Sequence, residues 1–186
     1  MSALKRVGIA VFILIAILFF ARERLYNQVV IYRSLGPRTG HPATNALLIK
    51  EIELDIDNQS DARIDEIIQI SLSITSKHLH FTVLNTSNDP NVLFSTGRAH
   101  CVGYVRFFAA TCNYLLERYG LDDQWIAQPT IGQLYVFNTN IHKYLNSPFL
   151  RDHDFVVLEN LRTGEIVAVD PTLNDYLKID LVKYAE

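Results

Sequence analysis

The only two thiols of the chain, Cys101 and Cys112, lie eleven residues apart in "RAHCVGYVRFFAATCNYLL". Val102, Val105, Ala109, Cys112, Leu115, Leu116 and Tyr119 recur every three or four positions, and Tyr104, Phe107 and Phe108 make much of the remaining circumference apolar. That spacing predicts a helix buried on most sides, closed by Gly120. Eleven residues bring a helix back to nearly the same face about 16.5 Å further along its axis, too far for a disulfide. Cys112, in the middle of the apolar stripe, reads as a small hydrophobe of the core. Cys101 falls in the first turn, just after "STGR", where unpaired N–H groups and the helix dipole favour a thiolate with a pKa below the usual value of about 8.5. That is the setting of a nucleophile.

A nucleophilic thiol needs a base, and the base needs a group to orient it. "HDFVVLE" and "EIVAVD" are strand-like, and "NLRTG" between them supplies a turn with Gly164, so the segment predicts a hairpin. With the turn centred near Leu161 and Arg162, His153 falls opposite Asp170 or its neighbour, at the roughly 5.5 Å spacing of paired strands. The carboxylate then accepts from one imidazole nitrogen and leaves the other for the thiol. The other histidines do not form a ligand set. His78 and His80 in "KHLHFTVL" would share one face of an extended segment, but no Cys/His pair stands at a zinc-like spacing, and they read as surface residues. His142, within "QPTIGQLYVFNTNIHKYLNSPFL", reads as surface too, in an insertion or extra strand able to cover a cleft. No metal or other cofactor is implied.

Together, "GRAHCVGYVRFFAATCNYLLERYGL", "HDFVVLEN" and "VAVDPTL" resemble the transglutaminase-like superfamily of the papain-type cysteine-enzyme fold. In that pattern a Cys opens a buried helix in a C-x-G-Y/F context, a His starts a strand, and an Asp followed by Pro and Thr ends the next strand. The resemblance runs from Leu93 to Leu173. It implies Cys101 as nucleophile, His153 as general base and Asp170 as orienting acid, in an α+β fold whose Cys-bearing helix packs on an antiparallel sheet. It also implies an oxyanion donor in the backbone N–H of Cys101 or Val102, with no side chain marked as the second donor. Asp154 and Phe155 depart from the small or aromatic residue that members often carry after the His. Strand alternation turns Asp154 to the opposite face from His153.

Positioning these groups falls to a single core. With 186 residues, 49% hydrophobic and 20% charged, the chain has room for one globular domain and a short apolar segment. A net charge of −3 argues against a nucleic-acid partner, since such binders present basic faces. "VGIAVFILIAILFFA", Val7 to Ala21, is uncharged and bracketed by Lys5 and Arg6 before it and Arg22, Glu23 and Arg24 after it. It is shorter than the roughly 20 residues that span a bilayer, so spanning needs snorkelling Lys and Arg side chains and help from Leu25 and Tyr26. "FFARERL" offers no A-x-A-like cleavage pattern. The reading is an uncleaved transmembrane anchor at residues 1–24 of a single-pass membrane protein, with the domain on the extracytoplasmic side. "SLGPRTGHPATN" marks residues 25–45 as a linker and residues 46–186 as the domain, which deletion of the first 40 residues or so is expected to leave folded. Within it, "SDARIDEIIQISLSIT" predicts a helix capped by Ser60 or Asp61 with Ile64, Ile67, Ile68 and Leu72 on its buried face.

The chemistry these residues support is acyl transfer through a Cys101 thioester on a peptide or protein substrate, hydrolysis of a peptide-like amide being favoured over cross-linking to an amine. The rival class is a non-enzymatic binding or assembly module that retains the fold. A metal-dependent hydrolase lacks the ligand cluster it would need.

Overall fold

The computed structural model of the protein describes residues 3–56 and 61–185. Helix α1 (Ala3–Val29) runs directly into β1 (Val30–Pro37), followed by α2 (Ala46–Leu54), α3 (Ile64–His78), β2 (His80–Phe81), α4 (Pro90–Thr96) and β3 (Arg98–Ala99). Helix α5 (Cys101–Arg118) leads into the long β4 (Trp125–Val136) and its partner β5 (Thr139–Asn140). Then come β6 (His153–Asn160), β7 (Ile166–Val169), α6 (Pro171–Leu177) and β8 (Tyr184–Ala185). The fold is α+β. Its main sheet has the order β7-β6-β4-β1-β8, antiparallel except for the β1–β8 pair, while β2 and β3 form a separate parallel pair.

Helix α5 is central because it has so little polar surface. Tyr104, Val105, Phe107, Phe108, Cys112 and Leu115 are all buried, and the helix packs between α3 on one side and β4 and β6 on the other. Its end is the one predicted. Gly120 takes φ +65°, Leu121 N–H bonds to Leu116 O at 2.8 Å and Gly120 N–H to Glu117 O at 3.1 Å, the paired closure of a Schellman motif. At its start, a Cβ on Gly103 would lie 2.7 Å from the Ala99 Cβ, so a glycine is what lets the first turn press against β3. That contact places Cys101.

The predicted hairpin is also present, as β6 and β7. Val156 and Leu158 of β6 face the large core with α3 and α5, while Phe155 faces a second core with Tyr32, Ala168 and Ile179. Both faces of β6 are therefore covered, which explains its continuous apolar run.

Three expectations are corrected. No helix among the described residues is long and apolar enough to cross a membrane, which overturns residues 1–24 as a single-pass anchor and the extracytoplasmic placement that rested on it. As helix, the run from Val7 to Ala21 is about 22 Å long against roughly 30 Å of hydrocarbon. The first two charged groups beyond it, Arg22 and Glu23, are tied to the folded chain. Arg22 Nε donates to the carbonyls of Leu177 and Lys178, both at 2.9 Å, and Glu23 accepts from Asp180 N–H at 3.0 Å. Asn27 is likewise bonded to Leu181 O and Lys183 N–H.

Nor are residues 25–45 a linker. They contain β1, paired with β4 from Val30↔Val136 to Pro37↔Thr130 with a bulge between Ser34 and Gly36. Folded structure thus begins well before Ala46. Finally, α3 buries Ile67, Ile68 and Leu72 as predicted, but its N-cap is Arg63, whose N–H bonds to Glu66 Oε2 at 2.9 Å. Asp61 lies upstream of the cap, and Ser60 lies outside the described residues. The same helix continues to His78, so only His80 of that histidine pair is in a strand.

Candidate active site

Asp170 is built into two structures at once. As N-cap of α6, its Oδ1 accepts from the N–H groups of Thr172 and Leu173, both at 3.0 Å. Its Oδ2 accepts from the Tyr32 hydroxyl at 2.8 Å and meets His153 Nε2 at 2.6 Å. Four partners satisfy a carboxylate whose side chain is only 1% exposed. The hairpin register pairs Val156 with Val169, which carries Asp170 alongside Phe155. His153 is then its diagonal neighbour on the same face, still within side-chain reach.

The Tyr32 hydroxyl also bonds to the Tyr26 hydroxyl at 2.9 Å, so a chain of hydrogen bonds runs from α1 through β1 to the imidazole. Sequence reasoning missed both tyrosines, because they stood in segments read as anchor flank and linker. The available signal was local and compositional: "VVIY" is a short run of β-branched and aromatic residues, as strands favour.

Cys101 and His153 line one cavity of about 230 Å³, closed on other sides by Phe81, Leu134, Phe149 and Leu150. The backbone N–H groups of Asp154 and Val102 lie against the sulfur. The structure therefore brings Cys101, His153 and Asp170 together, and it leaves Cys112 in the large core away from the cavity. Asp154 turns to the other face, where Arg38 clamps it through Nε and, at 2.9 Å, through Nη2. No family model, curated protein or solved structure matches this chain. What the site can do rests on its own geometry.

Its electrostatics correct one expectation. Burial pushes the Cys101 thiol up to about 11, outweighing the two backbone N–H groups that favour the thiolate, so the helix start does not give a low-pKa thiol. Burial also pushes Cys112 up to about 12, with only partial relief from Ser71. For His153, burial disfavours the imidazolium, but the Asp170 carboxylate and its hydrogen bond win and raise the pKa above 6.5. Burial likewise opposes the Asp170 charge, but His153, by charge and hydrogen bond, together with the Leu173 N–H and the Tyr32 hydroxyl, outweighs it, so the carboxyl titrates below its ordinary value. At rest the site holds a neutral thiol beside an imidazole that keeps its proton unusually far up the pH scale. Iodoacetamide labelling of Cys101 should accordingly be slow at pH 6.5, accelerate as His153 loses its proton above that, and continue to rise toward pH 11, with Cys112 unlabelled in the folded protein. A rate already at its plateau near pH 6.5 would instead show a preformed thiolate–imidazolium pair.

His142 was expected at the surface and is not there. It is 8% exposed, in a 3₁₀ turn at Ile141–Tyr144, and its ring lines the same cavity as Cys101. The physical reason is the chain after it: Leu145, Phe149 and Leu150 fold back over the cleft, and Leu150 O meets His142 Nδ1 at 2.7 Å.

Proposed function

We propose that the protein is a transglutaminase-like cysteine enzyme of papain-type architecture, transferring an acyl group from a peptide or peptide-like amide through a thioester on Cys101, with water as the favoured acceptor. The observation that carries this reading is His153, bonded to the buried Asp170 at 2.6 Å, lining the same cavity as Cys101. Cys101 Sγ attacks the amide carbonyl carbon while His153 takes the thiol proton through Nδ1, the nitrogen left free by Asp170. A thiol pushed up by burial suits this order of events, because deprotonation accompanies attack rather than preceding it. His153 then hands the proton to the departing amine as the C–N bond breaks. Water, deprotonated by the same imidazole, hydrolyses the thioester and restores the thiol. Asp170 holds Nε2–H and stabilises the imidazolium that forms in both half-reactions.

The activated ester p-nitrophenyl acetate tests this directly. Wild-type protein should acquire an acetyl group on Cys101, seen by mass spectrometry, and release p-nitrophenolate beyond one equivalent. His153→Ala should slow that acetylation by about 10²–10⁴-fold, the usual worth of a positioned general base. Acetylation at a rate indifferent to His153 would favour the non-enzymatic binding module.

A further inference from the structure

The cavity holds a second imidazole that the steps above do not use. His142 Nδ1 lies 2.7 Å from Leu150 O, and because a carbonyl only accepts, Nδ1 carries the proton in that bond. In the neutral ring Nε2 is then an acceptor. Nε2 is buried and has no hydrogen-bond partner among the described residues, although the ring edges the cavity that Cys101 and His153 line. Buried polar atoms are seldom left without a partner, and one on a cavity wall beside a nucleophile marks a place for a ligand donor.

The ring is also held in place before any ligand arrives. Asn140 Oδ1 accepts from the His142 backbone N–H at 3.0 Å, and Asn140 Nδ2 donates to Gln133 Oε1 at 2.7 Å, tying the turn to β4. Thr172 Oγ1, on the same cavity, is a second buried polar atom with no hydrogen-bond partner among the described residues. Around these polar points the wall is mainly apolar, formed by Leu134, Leu145, Phe149 and Leu150, and Asp152 is its one carboxylate. At about 230 Å³ the cavity is smaller than the roughly 300–1,000 Å³ of sites for drug-sized ligands, so it suits one residue rather than a long peptide.

We infer that His142 Nε2 accepts a hydrogen bond from the backbone N–H of the substrate residue that supplies the acyl group, and that the apolar wall receives that residue's uncharged, apolar side chain. This rests on the acyl-transfer reading of the same cavity and names its substrate class: amides whose acyl side is an apolar amino-acid residue bearing a free N–H. His142 is thereby a specificity-determining residue and takes no part in proton transfer.

The test compares three thiol-directed probes on the full chain. Acetyl-leucine chloromethyl ketone carries the N–H and an apolar side chain. Its N-methyl analogue lacks the N–H, and iodoacetamide reports thiol reactivity alone. His142→Asn keeps an N–H donor where Nδ1 stood, and with it the Leu150 bond, while removing the acceptor at Nε2. In this variant the second-order rate with acetyl-leucine chloromethyl ketone should fall about tenfold, the worth of one buried hydrogen bond. The iodoacetamide rate should change by no more than about twofold. On wild-type protein the N-methyl probe should react as slowly as the parent probe does with the variant, and the variant should slow it no further, as coupled partners require. An unchanged parent-probe rate, or an equal loss for all three probes, would overturn the inference; the second pattern would show His142 merely supporting the fold. Failure of the acyl-transfer reading is visible separately, as an iodoacetamide rate indifferent to His153→Ala.

Discussion

Replacing Asp170 by Asn should leave the protein folded and lower its turnover of p-nitrophenyl acetate by roughly 10⁴-fold. Asn is as good an N-cap as Asp, so the bonds from Thr172 and Leu173 to Oδ1, and with them the start of α6, should survive. The change falls on Oδ2, which now accepts from Tyr32 at 2.8 Å and faces His153 Nε2 at 2.6 Å. An amide nitrogen there is a donor. Facing it, His153 can remain bonded only by presenting a bare Nε2, which moves the imidazole proton to Nδ1, the position that must receive the thiol proton. The base is then blocked by its own hydrogen. The charge that stabilised the imidazolium is lost at the same time, so the His153 pKa should fall from its raised value. Because the block acts on the tautomer, iodoacetamide labelling of Cys101 near neutral pH should slow along with turnover. A D170N variant with a wild-type melting curve and wild-type turnover would remove Asp170 from the site.

Legibility in the sequence divides along the range of the interactions involved. Helix α5 and the β6–β7 hairpin are written in local patterns, an apolar period closed by Gly120 and two apolar runs flanking a turn. For that reason Cys101, His153 and Asp170 could be nominated together. The Cys101 pKa could not be read the same way. A helix start favours a thiolate, but the burial that defeats it comes from β6 and the cover after β4, more than thirty residues away in sequence. Strand β1 was missed for a related reason. Its pairing partner is some hundred residues on, and the glycines and prolines around it resemble a linker although Gly36 sits at a bulge in a paired strand. The apolar run from Val7 invited a membrane reading because composition counts apolar residues and is blind to the contacts of their neighbours. Arg22, Glu23 and Asn27 turn out to be fastened to the segment after α6.

Those contacts lead to the largest stability effect. Deleting residues 1–40 should abolish cooperative folding, whereas deleting residues 1–20 should move the melting temperature by only a few degrees. The shorter deletion removes a stretch in which Val7, Phe12, Ile15 and Phe20 are exposed, and it spares Arg22, Tyr26 and Asn27. The longer one takes away β1, which lies between β4 and β8, and opens the second core by removing Val30 and Tyr32, both buried. Burial of such side chains is worth about 1.5–3 kcal/mol each. It also removes Arg38, leaving the fully buried Asp154 carboxylate without its partner, at a cost of about 3–5 kcal/mol. Against a total stability of about 5–15 kcal/mol, these losses together are decisive before the lost strand pairing is considered. The site would fail with the fold, since Tyr32 holds Asp170 and Arg38 clamps the residue next to His153. Far-UV circular dichroism melts of the two truncations decide the matter: a cooperative transition near the full-length temperature after loss of residues 1–40 would mean that β1 is dispensable to the sheet.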